Sequence, residues 1–178
     1  MTNARRTLLV FAVLLVAACT NQATTPAPPP SDAASPTTAA GAPCGASDLT
    51  ASAEGWSAAA GSRGADVLVE NAGPSRCVLG AAPSVAIVDD AASVLLEGGP
   101  EAASGEGPTL EPGGTATFTV LASNWCDQPV GLPYHLVLRA EGGAVQVTGL
   151  DLATNDDLPP CNGPGQPATL SANAWVLP

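Results

Sequence analysis

Thr115-Ala116-Thr117-Phe118-Thr119-Val120-Leu121 alternates without a break: Ala116, Phe118 and Val120 fall on one side, Thr115, Thr117 and Thr119 on the other. Successive side chains of a β-strand point to opposite faces, so this stretch predicts a strand with one dry and one wet face. Immediately before it, Glu111-Pro112-Gly113-Gly114 suits a type II turn, with proline at its second place and glycine at its third. Working outward, short runs of the same kind occur at 48–53, 65–70, 77–79, 84–88, 93–96, 134–140, 144–148 and 169–176. Asn71-Ala72-Gly73-Pro74 reads as the turn between two of them. No sustained helical stripe is present. The small-residue run 57–60 lies between Gly55 and Gly61, and those glycines argue against a stable helix. Strands this short, punctuated by Gly and Pro, predict an all-β domain: an antiparallel sandwich or barrel of about seven to nine strands.

The N-terminus is of a different kind. Arg5 and Arg6 precede an uncharged run, 7–18, that is apolar after Thr7. It is too short to cross a hydrocarbon core, which takes about 20 residues. A positive start, a short apolar core and small residues at its end predict a signal peptide over residues 1–18. Val16-Ala17-Ala18-Cys19 resembles the lipobox of bacterial lipoproteins. That resemblance implies cleavage before Cys19, acylation of its thiol, and anchoring to the outer face of the cell membrane. Two or more acyl chains anchor a protein stably where one does not. Residues 20–43 carry six prolines and no large apolar side chain. Such a segment cannot bury enough surface to fold, and its prolines favour extended conformations. It predicts a linker that spaces the 44–178 domain from the membrane.

Charge and cysteine usage bound the function. After residue 18 the chain keeps Arg63, Arg76 and Arg139, has no lysine, and holds sixteen acidic residues, a side-chain net charge of −13. Nucleic-acid binding draws on cations that displace counterions from phosphates, so this composition speaks against it. With Cys19 assigned to lipid, Cys44, Cys77, Cys126 and Cys161 remain, an even number that predicts two disulfides outside the cytoplasm. Four cysteines allow three pairings, and spacing alone does not choose. The sequential pairing, Cys44–Cys77 with Cys126–Cys161, is expected because it pins the foot of the linker and the proline-bearing loop around Cys161. Zinc is disfavoured: there is no C-x-x-C and a single histidine.

Several of these residues occur in a telling order. Cys44 is followed by Val67-Leu68-Val69-Glu70-Asn71-Ala72-Gly73, then Cys77-Val78-Leu79-Gly80 with Pro83, then Leu110-Glu111-Pro112-Gly113-Gly114, then Asn124-Trp125-Cys126 and Cys161. The order resembles a domain family of high-GC Gram-positive lipoproteins, the domain of unknown function numbered four-two-three-two. The resemblance runs from Cys44 to about Val176. It implies an immunoglobulin-like β-sandwich, secreted or lipid-anchored. It implies no reaction and supplies no catalytic residue. The sequence departs from the family's habit where Ala81 and Ala82 follow Gly80 in place of an aromatic, and where Leu121-Ala122-Ser123 ends a strand in small residues.

Candidate chemistry is sparse. His135, the only histidine, sits in Tyr134-His135-Leu136-Val137-Leu138-Arg139, a strand pattern that turns Leu136 and Leu138 inward and His135 outward. A Ser-His-Asp triad would have to use it, yet no G-x-S-x-G elbow occurs. A blue-copper site needs two histidines and a free thiol, which this sequence lacks. Asp89-Asp90 and Asp151 with Asn155-Asp156-Asp157 could offer oxygen ligands to calcium, although turns use Asp and Asn for backbone reasons too. Trp56, Trp125 and Trp175 are expected as core or inter-sheet residues, with Trp125 packed near the Cys126 disulfide. The reading is of a non-catalytic domain without cofactor, held to the membrane through Cys19 and binding a protein or glycan partner at the cell envelope. An envelope hydrolase with dispersed carboxylates and a purely structural wall protein are the alternatives.

Overall fold

The computed structural model describes residues 41–99, 105–126, 133–153 and 157–178. The expected signal peptide 1–18, Cys19 and nearly all of the expected linker lie outside these residues, as do Asn155 and Asp156 of the second acidic cluster. The described strands are β1 (Ala42–Pro43), β2 (Leu49–Ser52), β3 (Ser57–Ala59), β4 (Ser62–Asn71), β5 (Cys77–Val78), β6 (Val85–Asp89), β7 (Val94–Gly98), β8 (Thr109–Leu110), β9 (Thr115–Ser123), β10 (Tyr134–Ala140), β11 (Gly143–Thr148) and β12 (Thr169–Ala172). Each of the nine strand stretches expected from the sequence overlaps one of them. The other three, β1, β3 and β8, have only two or three residues, too few for an alternation to register.

The protein is a sandwich-like all-β fold. One layer runs β12-β9-β4-β2 with β3 added to β4, and the other runs β10-β6-β7. β11 belongs to both. Its residues Ala144 to Gln146 pair antiparallel with β10, and Val147 and Thr148 then pair parallel with β2. A strand that changes sheets in mid-course is how sandwiches turn corners. At the opposite side β7 and β12 come together without pairing: a Cβ built on Gly98 would stand 2.3 Å from the Leu170 carbonyl oxygen. A separate three-stranded sheet, β1-β5-β8, includes the first described residues of the chain.

The expectation of antiparallel pairing holds at most junctions and is corrected at two. β2–β11 is parallel because β11 leaves its hairpin with β10 before reaching β2, and β1–β5 is parallel because residues 42–43 run alongside β5 in the same direction. The reading of 169–176 as one strand also needs correction. β12 ends at Ala172, the chain bulges, and Val176 rejoins β9 through two backbone hydrogen bonds with Thr117.

β9 shows why these residues form these strands. Ala116, Phe118, Val120 and Ala122 are buried, whereas Thr119 and Leu121 are exposed. Its long antiparallel register with β4 sets Phe118 opposite Val67 and Val120 opposite Ala65. Facing them across the core are Ile87 from β6 and Leu136 and Leu138 from β10. Burying one side chain of this size is worth about 1.5–3 kcal/mol, and this alternation supplies many. A smaller cluster, Ala86, Val88 and Val137, lies on the other side of β6 and β10. The turn before β9 is as expected: Gly113 adopts φ 75°, and the Gly114 amide donates to the Glu111 carbonyl at 2.7 Å.

Candidate functional site

Two disulfides, Cys44–Cys77 and Cys126–Cys161, join the four cysteines in sequential order. Each does the anchoring work expected of it. Cys44–Cys77 fastens the chain just after β1 to the start of β5. Cys126–Cys161 ties the end of β9 to the irregular connection before β12. Asn124 reinforces the second tie. With φ 58° it turns its amide so that Nδ2 donates to the Gln166 carbonyl and Oδ1 accepts from the Asn162 amide. Asn162 in turn donates to the Gly61 carbonyl.

Beside the Cys44–Cys77 staple the surface opens into two adjoining hollows of about 310 Å³ and 330 Å³. They share Pro43, Val78, Leu79 and Gly80 along their common wall. The first is floored by Leu49, Leu138 and Trp175 and edged by Arg139 and Glu141. The second passes Ala81 and Glu106 to Thr109 at the outer edge of the small sheet. Trp175 sets the wall of the first. Its ring meets Phe118 edge-on at 5.3 Å, and its Nε1–H donates to the Gly80 carbonyl at 2.9 Å. The tryptophan is therefore half in the core, as expected, and half in the cleft, which was not foreseen. Arg139 is committed to Glu97 at 2.9 Å on the rim, an exposed pair of little energetic weight.

The other two tryptophans are structural. Trp56 donates to the Leu150 carbonyl at 3.3 Å and packs on the core. Trp125 is buried, lies next to Cys126 and rests against Tyr134 with ring centres 5.7 Å apart. Its Nε1 has no hydrogen-bond partner among the described residues.

His135 projects outward from β10, as alternation predicts, and meets one carboxylate from each acidic cluster. Its Nε2 lies 2.9 Å from Asp90 Oδ1 and its Nδ1 lies 2.9 Å from Asp151 Oδ1. Hydrogen bonds to Asp90 and to Asp151 hold the imidazole above its ordinary pKa of 6.5, against a smaller downward pull from burial. This arrangement differs from a Ser-His-Asp triad, since a second carboxylate occupies the nitrogen that would face a nucleophile. Asp89 serves its own turn: Oδ1 accepts from the Ala91 and Ser93 amides at 2.9 and 2.8 Å. Among the described residues no three His, Cys, Asp or Glu side chains converge as ligands for a metal ion. The meeting of residues 45 and 16 positions apart was not visible in sequence, because β6 and β10 become neighbours only through the fold.

A disulfide-stapled β-sandwich with a cleft beside its Cys44–Cys77 bond is the class these features define. Over residues 44–175 the chain matches the family described as a domain of unknown function, DUF4232, and it belongs to that family. No curated protein and no solved structure matches it.

Proposed function

We propose that this chain is a lipid-anchored, extracytoplasmic binding module without catalytic activity, which holds a partner at the cell envelope through the cleft beside Cys44–Cys77. The observation that carries this reading is the cleft itself. It joins an apolar floor, Leu49, Leu138 and Trp175, to a polar rim, Arg139 and Glu141, in the way recognition sites do. Two disulfides and the lipobox-like Val16-Ala17-Ala18-Cys19 support an oxidising location outside the membrane. The occupant that fits is a protein segment with an apolar anchor and a basic flank, since Glu106 and Glu141 line the hollows, Arg139 is engaged by Glu97, and the first hollow holds a single aromatic ring.

Photo-crosslinking in living cells tests the reading. A crosslinking residue at Ala81, exposed in the cleft wall, should trap a discrete protein adduct. The same group at Thr50, exposed on the far sheet face, should not. Equal capture at both positions, or none at Ala81, sinks the proposal.

A further inference from the structure

We infer that His135 is a proton-operated switch that exchanges Asp151 for Gln146 at Nδ1 while Nε2 stays bonded to Asp90. Three partners surround a ring with two nitrogens. Besides the two carboxylates at 2.9 Å, the Gln146 side-chain nitrogen lies 3.1 Å from Nδ1 and 3.5 Å from Asp151 Oδ1. Carboxylates only accept, so both are satisfied at once only when both ring nitrogens carry protons. An amide nitrogen only donates, so its contact with Nδ1 is productive only when Nδ1 carries none. The opposite amide orientation would set the Gln146 oxygen against the Asp151 carboxylate. The same three side chains thus encode two settings that exclude each other.

The frame around the ring is fixed, which confines the change to protons and side-chain partners. Asp151 sits between the buried Leu150 and Leu152, and Leu152 exchanges two backbone hydrogen bonds with Tyr134. Asp90 rides on the turn that Asp89 caps. β10 pairs His135 with the uncharged Val88 on β6, and β11 contributes the uncharged Gln146. Arg139, further along β10, is engaged by Glu97. Asp90 and Asp151 are the charged groups acting on the ring. In the neutral setting Nε2–H still serves Asp90, and one Gln146 amide can bridge Nδ1 and Asp151. The alternative tautomer would leave Asp90 facing a lone pair.

The sign of the pH dependence follows. A histidine whose folded pKa is raised contributes stability that is fully present below its unfolded value of 6.5 and is lost as pH rises through the folded value. The charged setting therefore extends upward from mildly acid pH, and the exchange falls on its alkaline side.

Nitrogen NMR of the full chain labelled with 15N-histidine reads both settings, because the chain has one histidine. The expected result is an imidazolium at low pH, a midpoint above 6.5, and the Nε2–H tautomer above it. Asp90→Asn and Asp151→Asn should each lower the midpoint by about one pH unit. Gln146→Leu should raise it and let the Nδ1–H tautomer appear, because it removes the partner of the neutral ring. A midpoint at or below 6.5, an Nδ1–H tautomer in the unaltered protein, or a midpoint indifferent to Gln146→Leu overturns the inference.

Discussion

Asn71 shows how much a single buried amide can organise. It is fully buried at the end of β4. Nδ2 donates to the carbonyls of Ser75 and Leu110 at 2.8 and 3.1 Å, and Oδ1 accepts from the Gly73 amide at 3.0 Å. Its backbone closes on the turn before β9, donating to the Gly114 carbonyl and accepting from the Gly113 amide. One residue thus joins β4, the following turn, β8 and the Glu111–Gly114 turn. Replacing it by alanine removes three side-chain hydrogen bonds and strands the buried Leu110 carbonyl, a loss of about 1–3 kcal/mol. Asn71→Ala should therefore show that loss in urea unfolding followed by tryptophan fluorescence. A loss below about 1 kcal/mol would mean that water takes over these bonds. In sequence Asn71 read as the first residue of a turn, which it is. Its partners at Leu110 and Gly113 lie some forty positions away and left no local trace.

At the scale of elements, alternation and β-propensity made nine strands legible, most plainly β2, β4 and β9, which bury one face against the core. β3 was not legible because it does not do this. Ser57 and Ala58 are exposed, and the strand exists through its pairing with Arg63 and Gly64. Strand order was hidden for another reason: the corner made by β11 depends on where a sheet folds, and period-two patterning is silent on that. The cleft was equally invisible, since its walls come from residues 41–44, β5, β10 and the segment after β12. The seam between β7 and β12 offers a test of the closed shape. In Gly98→Ala the new methyl carbon would fall 2.3 Å from the Leu170 carbonyl oxygen, within a backbone that cannot swing aside. The expected cost is about 1–3 kcal/mol, the range for overpacking. Amide exchange should quicken in β7 and β12 while the β4–β9 pair keeps its protection. Protection lost evenly across the sandwich would contradict a local seam.

For the whole molecule, what was legible was mostly compositional: a lysine-free acidic chain, four cysteines for two bonds, and a proline-rich segment joined to a folded domain. The sequential pairing was legible because both loops needed a fastening near their own ends. The partner was not, because a cleft's shape carries no one-dimensional signature. The proposed anchoring makes a plain prediction. Cys19→Ala should move the protein from the membrane pellet to the medium, followed by immunoblot of the two fractions. Retention in the pellet would remove the lipid from the account.

The Cys44–Cys77 bond also decides how the molecule carries load. Tension along the chain ahead of Gly41 reaches Cys44 and crosses a covalent link to Cys77, rather than travelling through the residues between them. β2, β3 and β4 lie inside that closed loop and cannot be drawn out by such tension. A partner seated against Pro43, Val78 and Leu79 would grip the molecule within a few residues of this link. On the proposed anchoring, force between such a partner and the membrane would follow a short path along one margin of the domain, leaving the sandwich slack.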